Sequence, residues 1–180
     1  MQTPAPAARR RSRRRGWATA LAVTATAGVL APAARATPVA PEEEAIETGR
    51  SYHLVATNHG NRGATFEVNL NRDWALLTND ENSNGTAVVF ERKGDGYTIR
   101  STSSNWGGSD TWCSEGKGVA LSKASTCATA WKVLPEGDGF KLEDDSRRTL
   151  SHSTDGKAWL RAAVEIYHGY AYTVFKAVKA

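Results

Sequence analysis

The chain has 180 residues, with 23 Lys and Arg against 19 Asp and Glu for a formal net charge of +4. Residues 1–36 hold seven of the arginines and no acidic residue, so the remainder carries 16 basic and 19 acidic groups and a net charge of −3. The basic excess belongs to the N-terminal segment, which excludes reading it as a nucleic-acid footprint, and the absence of a second apolar run leaves nothing in 37–180 that reads as a membrane-spanning helix.

The first segment has three parts. Arg9 to Arg15 supply a dense positive charge, a mildly apolar run follows from Trp17 to Leu30, and Ala34-Arg35-Ala36 closes it in small-x-small form. That order is a secretory signal peptide, here 1–36. The pair after Ser12, Arg13-Arg14, leaves the twin-arginine and general secretory routes both open. The expectation is a secreted, extracellular protein, and the Ala/Arg-rich leader is of the kind found in high-GC bacteria. Residues 37–49 follow, rich in Pro, Ala and Glu (Pro38, Pro41, Glu42-Glu43-Glu44 and Glu47) with almost nothing to bury. They read as a flexible acidic leader or as an arm that orders on a partner.

From Arg50 the text is strand-like: short β-branched or alternating segments separated by Gly, Asn and Asp. Gly94-Asp95-Gly96-Tyr97 recurs 43 residues later as Gly137-Asp138-Gly139-Phe140, and each copy follows a strand carrying an aromatic, Phe90 or Trp131. A step of 44 residues from Trp131 reaches Phe175. The expected architecture is therefore an all-β domain over 50–180, a β-trefoil of three four-stranded repeats at about 50–96, 97–139 and 140–180. A β-sandwich is the alternative. Phe90, Trp131 and Phe175 are its expected aromatic core.

Cys113 and Cys127 are the two cysteines, and in an exported chain an even number reads as a disulfide. The loop it closes, about 15 residues long, would add roughly 3 kcal/mol of stability. A metal site would need nearby His or further Cys, and His53, His59, His152 and His168 are scattered, so no metal and no cofactor is expected.

The three units resemble the β-trefoil modules of ricin-type lectins and the fascin-like group over essentially Arg50 to Ala180. The middle unit carries the likeness: Cys113, the apolar strand Val119-Ala120-Leu121, Cys127, then Trp131 where the family has Gln-x-Trp. That position reads Thr129-Ala130-Trp131 here, and the other units offer Val88-Val89-Phe90 and Thr173-Val174-Phe175, so no unit has the Gln. Glu115 stands where the resemblance implies a sugar-binding Asp, and Ser125-Thr126 stands where it implies a stacking aromatic. The family's complete sugar site is therefore not carried over, and fold by itself implies no ligand.

No nucleophile elbow, zinc-helix pattern or phosphate loop occurs, so an enzyme is not expected. Asp144-Asp145 reads as a solvated acidic pair, not as a glycosidase pair held across a cleft. The suggestive stretch is Ser101–Trp112, where Asn105, Trp106, Asp110 and Trp112, with Glu115 beyond, offer aromatic faces beside hydroxyl-binding groups in a Gly/Ser-rich loop. Tyr167-His168-Gly169-Tyr170 is a weaker candidate of the kind seen at recognition surfaces. The expectation is a monomeric secreted binding module whose partner is a glycan or a secreted or cell-surface protein. Carbohydrate binding is the first reading. A protease inhibitor or an adaptor subunit of a toxin-like assembly is the alternative.

Overall fold

In the computed structural model the described residues are 46–180, so the signal peptide over 1–36 and positions 37–45 of the acidic leader lie outside them. Alternating apolar residues between Gly, Asn and Asp turns set out thirteen short strands: β1 (Ser51–Ala56), β2 (Arg62–Asn69), β3 (Arg72–Leu77), β4 (Val88–Lys93), β5 (Gly96–Ser101), β6 (Ser109–Glu115) and β7 (Gly118–Lys123). After them come β8 (Trp131–Glu136), β9 (Gly139–Asp144), β10 (Thr149–Ser153), β11 (Leu160–Ala163), β12 (Tyr170–Tyr172) and β13 (Phe175–Lys179). The described residues contain no helix, and every pairing is antiparallel, as in a chain joined by hairpins.

The domain is all-β, but three equal four-stranded repeats are not what forms. The strands join in one thirteen-stranded sheet. β1, β13, β9, β8, β5 and β4 pair in that order, and β4 returns to β1 to close an antiparallel barrel. The expected last unit contains five strands, β9 to β13, while the two before it contain four each. The expected boundaries at 96/97 and 139/140 fall inside β5 and β9. The physical reason is that each Gly-Asp-Gly marks the tip of a hairpin and not a junction between units. β4 pairs with β5 from Lys93↔Gly96 to Val88↔Ser101, and β8 with β9 from Glu136↔Gly139 to Trp131↔Asp144. Because the one sheet closes on itself, the β-sandwich alternative does not hold either.

The second glycine of each copy has its own cause. A Cβ at Gly96 would sit 2.7 Å from the Trp131 carbonyl oxygen, and one at Gly139 would sit 2.5 Å from that of Phe175. Each strand begins there by crossing close over the next barrel strand, so only glycine fits.

Inside the barrel Phe90, Trp131 and Phe175 are completely buried with Leu54, Ile99 and Leu142. Trp131 also satisfies its indole, whose Nε1–H donates to the Trp112 carbonyl at 3.0 Å. The remaining strands form hairpins that lean on one another: β3 pairs β7 at Trp74↔Ala120, and β7 pairs β11 at Gly118↔Arg161. Their connections carry the exposed residues described next.

Candidate functional site

The middle of the chain builds one cleft. Cys113 and Cys127 form the disulfide, with Cα atoms 5.6 Å apart, and tie the β7–β8 connection to β6. Trp112, expected among the ligand contacts, is only 2% exposed. Thr111, Trp112 and Cys113 are buried in succession at the middle of β6, and the Trp112 indole joins the hydrophobic core, so it cannot face a ligand. Trp106 is the one that reaches solvent, at 42% exposure. It stands over a cleft of about 550 Å³ whose other walls include Asn71, Arg72, Ser109, Glu115 and Lys123.

The polar partners expected around Trp106 are spent elsewhere. The Asn105 backbone N–H and Nδ2 both donate at 2.7 Å to the carboxylate of Asp73, a fully buried acid in β3. Asp110 accepts from Arg100 Nη2 at 2.9 Å, and Arg100 Nη1 also reaches Glu91 at 3.1 Å. Those two acids hold the Arg100 pKa above its usual value, Asp110 the more strongly. Glu115 does line the cleft, but its carboxylate is paired with Arg72 and accepts from Ser122 Oγ at 2.7 Å. Of the five expected ligand residues, Trp106 and Glu115 share the cleft. Asn105 and Asp110 shape the loop, and Trp112 is core.

The rim of the same cleft includes the β2–β3 hairpin tip. Leu70 and Asn71 are its two turn residues, at φ 50° and 59°. Two positive φ angles define a type I′ turn, a conformation that Gly and Asn adopt readily and that costs leucine roughly 1–2 kcal/mol. Leu70 is also 85% exposed. Strain and exposure of an apolar side chain at one residue are the kind of double exception that accompanies function. The tip is held by the Trp74 Nε1–H, which donates to the Asn69 carbonyl at 3.0 Å.

A second feature lies beyond the β6–β7 turn. Between β11 and β12, residues Val164 to His168 are five consecutive exposed positions, and none has a positive φ. Val164 is 68% exposed and Ile166 and Tyr167 each 44%. The C-terminal end of the run is held: the Tyr170 N–H donates to the Tyr167 carbonyl at 3.1 Å, and Lys117 Nζ and the Arg161 guanidinium lie 4.7 and 5.1 Å from the Tyr167 ring centre. A pocket of about 390 Å³ opens beside it, floored by Ala162 and Ala163 and walled by Lys117, Arg148, Val164 and Tyr167. Arg148 is fully engaged, donating to Asp144, the Gly116 carbonyl and Ser114 Oγ. Lys117 and Arg161 have no carboxylate partner among the described residues.

Among the described residues no grouping of His, Cys, Asp and Glu could hold a metal ion. The buried histidine, His152, packs against His59 with ring centres 4.4 Å apart and planes tilted by 48°, and shares a 3.0 Å hydrogen bond with Thr173. Burial, reinforced by the neighbouring His59, lowers its pKa to about 4.

No protein-family model matches the chain, and no curated protein sequence does. Solved structures do match in fold. The soybean trypsin inhibitor superposes with a TM-score of 0.59 at 14% identity, over 74% of this chain and 93% of that one. A water-soluble chlorophyll protein from Brassica oleracea var. Botrytis, solved with chlorophyll b, gives 0.59 at 16% identity over 75% and 93%. The lysenin pore gives 0.58 at 12% identity over 75% of this chain, and the chain spans about half the length of the lysenin chain, 48%. The inhibitor and the chlorophyll protein are β-trefoil-type folds. At these identities the likeness is one of fold, and nothing in it points to ricin-type lectins in particular.

Proposed function

We propose that this protein is an exported, non-enzymatic protein-binding module that acts as a protease inhibitor. The observation that carries the reading is the run Val164–His168: consecutive, exposed, free of left-handed backbone, and rich in apolar side chains. A segment of that kind can seat its apolar side chains in another protein's cleft. Its anchorage at Tyr167 lowers the ordering entropy that binding would otherwise cost. The inhibitor and chlorophyll-binding proteins that share the fold support a binding role over a catalytic one. The test is a titration of residues 37–180 against a panel of serine and cysteine proteases, alongside Val164→Ser/Ile166→Ser. The expected result is inhibition of at least one protease, weakened at least about tenfold in the variant, as for hot-spot residues. Inhibition of none would overturn the reading.

A second reading is favoured by one observation, the exposed Trp106 ring over a cleft that also offers the amide of Asn71 and the hydroxyl of Ser109. An indole face with hydroxyl-binding neighbours suits a sugar ring. Binding on a glycan array that Trp106→Ala abolishes would support it, and a blank array would remove it.

A further inference from the structure

We infer that Ile166 is the side chain that fills the target protease's primary specificity pocket, and that this pocket is apolar with an acidic rim. The inference rests on the inhibitor reading above and names the class of target. The run has one fixed end and one rooted end. Tyr167 is held by its carbonyl and by two cations on its ring, and Val164 follows directly on Ala163, the last residue of β11. Ile166 stands between them, exposed, with neither constraint. An aliphatic side chain cannot satisfy a carboxylate at the base of a pocket. A protease that selects Lys or Arg through such a carboxylate would bury it unpaired against Ile166, a desolvation cost with nothing to offset it. The compatible pocket is apolar.

The charge around the run sets the rim. Lys117 and Arg161 flank it without a carboxylate partner among the described residues. Glu165 is the single acid within it, so the flanking charge is positive on balance. Exposed charges at the edge of an interface act mainly on the rate of encounter and its salt dependence. An acidic rim on the protease is the complement.

The experiment compares wild type, Ile166→Arg and Val164→Arg against pancreatic elastase, chymotrypsin and trypsin, with thermal melting to confirm that each variant folds as wild type does. Position 166 is exposed, so an arginine needs no room inside the domain. Wild type is expected to inhibit elastase or chymotrypsin at least about tenfold better than trypsin. Ile166→Arg is expected to reverse that preference, and Val164→Arg to leave it standing. Wild type preferring trypsin, or an unchanged ranking in Ile166→Arg, overturns the assignment while the inhibitor reading survives. Inhibition of no protease by any of the three overturns both.

Discussion

Two connections carry exposed aromatic residues, and they are held by different physics. The β5–β6 connection, which carries Trp106, is pinned from beneath: a buried carboxylate, Asp73, grips Asn105 through two short hydrogen bonds. Within it Ser104 Oγ and the Ser109 N–H donate to the Trp106 carbonyl at 2.8 and 2.9 Å. The β11–β12 connection has two backbone hydrogen bonds, both at its C-terminal end, where the Tyr167 carbonyl accepts from Tyr170 N–H and the Gly169 carbonyl from Thr154 N–H, and two cations resting on an exposed ring. The difference separates a loop whose shape belongs to the fold from a loop whose apolar residues are left for something else to cover. In the first, polar groups are consumed internally and one indole remains. In the second, little is consumed and three large apolar side chains remain.

Removing each anchor tests that contrast. Asp73→Ala takes away both hydrogen bonds to a charged acceptor, and a loss of about 3 kcal/mol is expected. Trp106 fluorescence should shift with it. A variant as stable as wild type would mean that Asp73 does not hold the loop. Acid probes a different buried group. His152 lies in β10, which pairs with β12 at His152↔Ala171, where the second connection lands. The unfolded chain takes up a proton at this histidine near pH 6.5, whereas the folded protein refuses it until about pH 4. Stability from this group is therefore complete above pH 6.5, falls as pH drops from 6.5 to 4, and levels off below. The expected loss is about 3 kcal/mol, read by denaturant unfolding across that window. If His152→Gln shows the same slope, some other group is responsible.

Leu70→Gly relieves a left-handed leucine without uncovering any core, so a gain of about 1 kcal/mol is expected. If the tip is also a contact, partner binding should weaken as stability rises. Lys117→Ala removes one exposed cation from the Tyr167 ring and should cost no more than about 0.5 kcal/mol. A much larger loss in a thermal melt would mean that the second connection is anchored as firmly as the first.

The sequence shows the barrel's materials more clearly than its assembly. Phe90, Trp131 and Phe175 stand out because each is a large aromatic within a short strand, Phe90 inside β4 and the other two opening β8 and β13. The Gly-Asp-Gly copies stand out because tight hairpins require such residues. The count of strands per unit does not stand out, because β12 is a three-residue strand whose partner β10 lies some twenty residues earlier. The cleft was half legible. Asn105 and Asp110 have the right chemistry for a ligand, but their partners Asp73 and Arg100 lie 32 and 10 residues away, and spacing alone does not reveal that they are already committed. Val164-Glu165-Ile166 alternates with period two and so reads as a half-buried strand. Only the structure shows that it leaves the sheet. The signal available for Leu70 was its place between Asn69 and Asn71, two residues at home in turns.

One pairing described above bears on how the protein reaches this state. β1 runs against β13 from Tyr52↔Lys179 to Ala56↔Phe175. The first strand thus waits for the last, and the barrel cannot close until nearly the whole domain is present. Contacts so distant along the chain give a high contact order and place folding in the slow range, milliseconds to seconds. Until closure, β1 and β9 each present an unpaired edge to neighbouring chains. The interval before β13 docks is when this protein is most exposed to aggregation.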